Sequence, residues 1–202
     1  MTDFPAPALL TDLQQADAPN ADRLVREALA MLLQAQTGDG APAWAGDAWR
    51  EAAAQLAAPE TPGWTALLDA LQRALMAQPQ RPSAGQPGRC LPAGWELAAL
   101  LRPDTFGWDE EQELDWAIRY WEAARRAGLG WDADFGEAWR QIEWAAVARQ
   151  LALLGRARAE SREPPPRVLA QVVKTATRYR ELRPLLPICE ALRPRITQQA
   201  YG

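Results

Sequence analysis

The sequence predicts an all-α fold. Apolar residues recur at helical spacing through almost every segment, strand-like alternation and internal repeats are absent, and Pro and Gly punctuate the chain where helices would stop. At 202 residues and 48% hydrophobic, the chain can bury a real core, which excludes disorder throughout. The elements are assigned to one helical domain over 1–202, interrupted by a Pro/Gly-rich linker at about 78–92.

The first strong helix is expected over 20–36. Asn20 is a fitting cap, Leu24, Ala28, Met31 and Leu32 share a face, and Gly38 and Gly40 end it. A second is expected over about 47–57, broken by Pro59 and Pro62, and a third over about 61–77, carrying Trp64, Leu67, Leu68, Leu71 and Leu75. The stretch QPQRPSAGQPGRCLP (78–92) then has the composition of a loop with little to bury, with room for a short hairpin at most. Residues 95–101 form a short apolar helix stopped by Pro103.

Asp109 and Gln112 make a capping-box-like pair ahead of Leu114, Ala117, Ile118, Trp121 and Ala124, with Gly128 as the stop. Asp134 and Glu137 repeat the pattern ahead of Phe135, Trp139, Ile142, Ala146, Val147, Leu151 and Leu154. After Pro164, Pro165 and Pro166 a helix is expected over about 167–181, with Leu169, Val172, Val173, Ala176 and Tyr179 inward. Pro184 and Pro187 bracket a last short helix ending near Leu192, and the residues beyond it are expected to fray.

Composition narrows function. The net charge of -4 disfavours binding of nucleic acid or an anionic membrane through a broad basic surface. No apolar run approaches the ~20 residues that span a bilayer, and the N-terminus lacks the basic and apolar regions of a signal peptide. A reduced cytoplasm is the expected setting, since Cys90 and Cys189 form neither a disulfide framework nor a metal-ligand spacing. Cys90, in the linker, has room to be exposed, but the sequence gives no base that would lower its pKa and make it reactive. The chain has no His, so Ser-His and Cys-His pairs are excluded. Asn20 is its only Asn, and Lys174 the only basic residue that is not Arg.

The segments WDEEQELDWAIRYWEAARRAGLG (108–130) and DADFGEAWRQIEW (132–144) resemble the aminoglycoside phosphotransferase family, in its branch of cell-wall amino-sugar kinases acting on N-acetylmuramate and N-acetylglucosamine. The resemblance extends to NADRLVREALAMLLQAQ (20–36), ALLDALQRALMAQPQ (66–80), WELAALLR (95–102) and RVLAQVVKTATRYRELRPLLPICEAL (167–192). These are similar, in order, to helices of that family's C-terminal lobe. The resemblance implies a kinase C-lobe-like helical body.

It also marks what has no counterpart here. The family's catalytic loop, His-x-Asp-x-x-x-x-Asn, would fall where 78–80 leads straight into RPSAGQPGRCLP. Aligning Pro92 and Trp95 with the family's Pro and Tyr places the first Asp of its metal motif on Ala84. No Gly-rich strand-loop is present, and Lys174 stands in a C-terminal helix instead of a nucleotide-binding strand. The family's Gln-Arg-His-Leu-Lys-x-Leu-Gly stretch reads ARQLALLG (148–155), without His or Lys. Phosphoryl transfer depends on metal ligands, a phosphate clamp and a base, so no residue is assigned as catalytic, cofactor-binding or metal-binding, and no cofactor is expected.

Other features have plain structural readings. The carboxylates of 109–115 and 132–134 suit helix N-termini better than the facing pair of a glycosidase. Trp116, Trp121, Trp139 and Trp144 are expected in the core, while Trp44, Trp49 and Trp64 lie nearest the part of the family fold that has no counterpart. RARAESR (156–162) fits a solvated helix end, and PPPR (164–167) a helix breaker. The expectation is a non-catalytic, pseudokinase-like interaction or regulatory protein. Its partner would be another protein or a second copy, bound through the surface that the absent lobe would cover. The alternatives are an amino-sugar-binding remnant or sensor in peptidoglycan recycling, and a phosphotransferase completed by a partner chain.

Overall fold

A computed structural model describes residues 4–38, 44, 46–58, 60–86 and 88–193. Nine α-helices and one two-stranded hairpin lie among the described residues: α1 (Pro7–Gln15), α2 (Ala18–Gln36), α3 (Asp47–Ala54), α4 (Trp64–Ala77), β1 (Gln80–Pro82), β2 (Cys90–Pro92), α5 (Ala93–Leu101), α6 (Glu110–Arg126), α7 (Phe135–Ala159), α8 (Pro166–Arg178) and α9 (Leu185–Leu192). A 3-10 turn, Arg180–Leu182, joins the last two. The mainly helical class matches the expectation from sequence. None of the described helices is long and apolar enough to cross a membrane.

The centre of the fold is α7. Its buried residues, from Ala138 through Ile142, Val147 and Leu151 to Ala157, point in all directions around the helix. A helix that is apolar all round must be covered on every side. Here α3, α4, α5, α6 and α8 supply the cover. The closest approach is between α3 and α7 at Gly155, where a Cβ would stand 1.8 Å from the Ala52 carbonyl oxygen. Only a residue without a side chain lets the two backbones meet there. The resulting core is one contiguous cluster that includes Val25, Leu32, Leu71, Leu97, Trp116, Leu151, Val172 and Leu185.

Several local expectations are corrected. Asp17, not Asn20, caps α2: its Oδ1 accepts from the Asn20 backbone N–H at 3.1 Å, and Pro19 fits the first turn because no N–H is needed there. Met31 is 61% exposed, because α2 turns Val25, Ala28, Leu29 and Leu32 inward. On α6 the inner face is Trp116, Ala117, Tyr120 and Ala124, while Leu114 faces outward. That rotation is fixed by polar bonds to α2. The Trp116 indole N–H donates to Asp22 at 2.9 Å, and the Tyr120 hydroxyl bonds to the Gln36 side-chain oxygen.

α3 ends at Ala54, earlier than expected, and α4 starts at Trp64 because Gly63, at φ 75°, is left-handed. Asp109 and Asp134 cap α6 and α7 as expected, accepting from Glu111 and Gly136 backbone N–H groups at 2.9 and 2.7 Å. Glu137 pairs with Arg140 at 2.6 Å instead of completing a capping box. α8 stops at Arg178, leaving Val173 and Tyr179 half-buried. Pro187 lies inside the first turn of α9, where its missing N–H costs nothing. Gly40, Pro59 and the residues beyond 193 lie outside the described residues.

The linker holds the short hairpin for which the sequence left room, and the correction concerns its burial. β1 and β2 pair antiparallel, Gln80 with Pro92, Arg81 with Leu91 and Pro82 with Cys90. Gln78, Ser83, Cys90 and Leu91 are buried, so the stretch is an integral part of the fold. Cys90 is accordingly not an exposed thiol. Cys189 is buried too, and burial lifts its pKa to about 11.

Gly155→Ala should destabilise the protein by about 3 kcal/mol or more, since the clash is with backbone and not with a movable side chain. Gly128→Ala, at φ 74° with open space around it, should cost only about 1 kcal/mol. Urea unfolding of the two variants beside the parent checks the contrast.

Candidate functional site

The hairpin and α5 build the candidate site. Residues 83–89 turn from β1 back to β2, with Ser83 donating its backbone N–H to the Arg89 carbonyl at 2.9 Å. Glu96, in the first turn of α5 and 3% exposed, reaches into this turn. Its carboxylate accepts the Ser83 hydroxyl at 2.7 Å and the backbone N–H groups of Ala84 and Gly85 at 3.0 and 2.9 Å. Ser83 Oγ in turn accepts from the Gln86 N–H at 2.8 Å. The turn is thus wrapped around an anion that the chain itself supplies. Charge-assisted bonds of this kind are the strong ones, and they fill the concavity that the backbone donors form.

Two glutamines join the helices beside the hairpin. Gln78, at the C-terminal end of α4, accepts the Gly94 N–H at 3.0 Å and donates to the Gln141 carbonyl at 2.9 Å, joining α4, α5 and α7. Gln36 of α2 donates to the Ala93 carbonyl at 3.2 Å. The position that the resemblance aligns with a metal-binding Asp, Ala84, therefore offers only a methyl group and a backbone N–H already spent on Glu96.

Beside this turn lies a cleft of about 520 Å³ between α3, the hairpin turn, α5 and α7. Trp44 and Trp95 form part of its wall, ring centroids 5.8 Å apart and planes inclined at 49°. Gly46, at φ 74°, permits the tight approach behind them: a Cβ there would come within 2.4 Å of Gln72, whose side chain also accepts the Trp49 indole N–H at 2.8 Å. Arg89, Arg149 and Arg156 line the same cleft.

A second polar centre sits at the other end of α5. Glu143, 1% exposed in the middle of α7, accepts from Arg102 at 2.8 Å, Arg178 at 2.6 Å and the Tyr179 hydroxyl at 2.5 Å. Arg102 also bonds Glu113 at 2.5 Å and the Thr175 hydroxyl at 3.0 Å. Burial opposes the Arg102 charge, but Glu113 and Glu143 more than offset it and hold the guanidinium pKa above its ordinary value. Burial, with Glu143 beside it, raises the Tyr179 pKa. Every group in this centre is already partnered within the chain, which is the pattern of a structural network.

The residues that sequence analysis singled out are scattered. Lys174 pairs with Glu110 at 3.1 Å on the surface between α8 and α6. Asp109 and Asp134 act as caps, and no cluster of three acidic or Cys side chains suited to a metal occurs among the described residues. Trp49, Trp64, Trp116 and Trp144 are buried; Trp121 and Trp139 are half-buried against the core. Arg158 reaches the Leu56 carbonyl at 3.4 Å and Arg162 pairs with Glu160 at 2.6 Å, as a helix end would. Sequence reasoning missed Glu96 and Glu143. The available signal was an acidic residue inside an otherwise apolar helix, in WELAALL and in QIEWAAVA.

Comparison with known proteins gives a partial match. The chain is similar to the N-acetylmuramate/N-acetylglucosamine kinase of Neisseria meningitidis serogroup B. The two are 38% identical over 102 residues, which is 46% of this chain and 30% of the kinase. The match thus spans under a third of that kinase's length. No protein-family model matches the chain, and no solved structure does.

Glu96→Gln places an amide NH₂ where donors already converge and removes the charge. It should cost about 2–3 kcal/mol and loosen the turn. A fall in urea midpoint with faster amide exchange at Ala84 and Gly85 checks this, and unchanged exchange at both would refute the wrapped-carboxylate account.

Proposed function

We propose that this protein is a non-catalytic, kinase-derived interaction or regulatory protein that acts by binding. The observation that carries the reading is the Glu96-filled turn at Ala84. In the alignment stated above, a metal-ligating carboxylate belongs there, and the turn instead donates its N–H groups to an internal carboxylate. The partial match to an amino-sugar kinase supports descent from such an enzyme. Without metal ligands, a base or a phosphate clamp in these residues, the positioning and electrostatics of phosphoryl transfer have no supplier.

The partner in this reading is another protein or a second copy of the chain, held by the face that a nucleotide-binding lobe covers in such kinases. Partly exposed apolar side chains such as Met76 and the groove between α3 and α4, walled by Ala54, Ala57, Trp64 and Leu68, provide apolar contact area. A second reading, retention of amino-sugar binding as a sensor in cell-wall recycling, is favoured by the Trp44–Trp95 cleft, since aromatic faces are the natural platform for sugar rings.

The purified chain should show no ATP turnover above blank with magnesium and either N-acetylmuramate or N-acetylglucosamine. It should self-associate in light scattering or hold a protein partner through purification. A ligand at 100 times its Kd adds about 2.7 kcal/mol, so thermal shifts with the two sugars test the second reading. Turnover by the chain alone would overturn the non-catalytic assignment. Turnover appearing only on adding a second protein would replace it with a two-chain phosphotransferase. A strictly monomeric, partnerless protein would remove the interaction role.

A further inference from the structure

We infer that the cavity between the end of α5, the start of α6 and α8 is a binding site for a small monocarboxylate with an apolar body the size of one ring. The cavity lies at the end of α5 away from the hairpin. The inference goes beyond the proposed function and does not depend on it.

The cavity holds about 300 Å³, the lower end of the range for small-molecule sites. Trp108 walls one side. Its indole N–H donates to the Leu100 carbonyl at 3.1 Å, and Phe106 and Trp116 pack against it edge to face, with ring centroids 4.8 and 4.9 Å away. The indole is thereby held in one orientation. Leu101 and Ala170 supply the rest of the apolar lining.

Arg167 supplies the charge. Its guanidinium lies over Gly107, where a Cβ would stand 1.1 Å from Nη2, so only a residue without a side chain leaves it that place. The Arg167 side chain lines the cavity, yet it has no hydrogen bond and no carboxylate partner among the described residues. The other charges around the cavity are matched. Arg102, Lys174 and Arg178 face Glu110, Glu113 and Glu143, three cations against three carboxylates. Arg167 is the surplus, so the cavity takes one negative charge. A second would meet Glu113 in the wall with no cation left to answer it.

The polar lining offers donors, while its side-chain acceptors are engaged. Glu113 and the Thr175 hydroxyl accept from Arg102 at 2.5 and 3.0 Å, and the Gln171 oxygen accepts from Gln150 at 2.6 Å. The Gln171 NH₂ group has no partner among the described residues. Lys174 is held by a pair more than half exposed on both sides, which exchanges easily. Hydroxyl groups of a polyol need acceptors as well as donors. A carboxylate needs donors alone, and the planar fork of an arginine can meet it with two bonds. A surface arginine is ordinarily just hydrated. This one is seated in space left open by a glycine, beside an oriented aromatic wall on which an apolar ring can rest.

The test is a heteronuclear NMR titration of the full chain with five probes. Benzoate has a ring and a single charge, benzamide the ring without the charge, and acetate the charge without the ring. Inorganic phosphate adds a second charge, and N-acetylmuramate carries its carboxylate on a polyol. Benzoate should move the Gly107 amide and Trp108 indole signals. It should bind about tenfold or more tighter than benzamide, the worth of a charge-assisted bond. Acetate, phosphate and N-acetylmuramate should each bind more weakly than benzoate at these signals. Arg167→Gln, at an exposed position, should erase the preference for benzoate over benzamide. Gly107→Ala should weaken benzoate by displacing the guanidinium with its charge intact. Both variants should unfold near the parent's midpoint, since the group that moves is the far end of a flexible side chain. Arg73→Gln, an exposed arginine of α4 outside the cavity, should change nothing. Equal affinity for benzoate and benzamide, tighter binding of phosphate or N-acetylmuramate at these signals, or no response of Gly107 and Trp108 to benzoate would each overturn the proposal. So would a preference that survives Arg167→Gln, or an undiminished benzoate affinity in Gly107→Ala.

Discussion

The fold depends on keeping α7 away from water on every side. A 25-residue helix with buried side chains around its whole circumference is stable only when neighbours cover it completely. That requirement sets the places of α3, α4, α5, α6 and α8 at once. It also explains the small residues along α7: Ala138, Ala145, Ala146, Ala148, Ala152 and Gly155 let other backbones come close, and at Gly155 the approach to Ala52 leaves no room for a methyl group. Hydrophobic burial supplies the drive, and the small side chains decide which elements fit where.

Two buried carboxylates then fix registers that apolar contact alone would leave loose. Glu143 gathers Arg102, Arg178 and Tyr179 around the middle of α7, and so ties α5 and the end of α8 to it. Glu96 does the same for the hairpin turn. Burying a carboxylate without partners costs several kcal/mol, so each of these helices is held to the arrangement in which its donors are in reach. The second carboxylate also shapes the adjacent cleft. By occupying the backbone donors of the turn, Glu96 removes both an anion site and a negative side chain from the adjacent cleft. The positive character of that cleft follows from this structural bond as much as from its arginines.

What was legible in the sequence was what depends on neighbours along the chain. The caps at Asp109 and Asp134, the apolar spacing of α4, α6 and α7, and the proline and glycine stops are local signals, and they placed most helices to within a few residues. The cap of α2 was misread by three positions because Asp17 and Asn20 are both good caps, and Pro19 between them decides in favour of Asp17. Met31 and Leu114 were assigned to buried faces by spacing, but the rotation of α2 and α6 is set by bonds such as Tyr120 to Gln36, 84 residues apart. The hairpin was hidden because its composition is that of a loop. Its strands have three residues each, and the bonds from its turn to Glu96 exist only after the chain has folded. For the same reason the cleft had no sequence signature: Trp44, Arg89, Trp95 and Arg156 belong to four separate segments, none of them distinctive alone.

Similarity of sequence and identity of chemistry can come apart for a physical reason. Helices survive substitution well as long as volume and pattern are kept. Phosphoryl transfer rests on a few groups placed to a fraction of an ångström, and replacing any of them is abrupt. A chain can therefore keep most of a catalytic lobe's packing while its reacting corner is rebuilt. In this protein the stretch at 83–89 is a closed hairpin turn bonded to an internal carboxylate. Binding asks for shape and for side chains of fitting chemistry, and the cleft beside the turn has an aromatic wall and arginines in its lining.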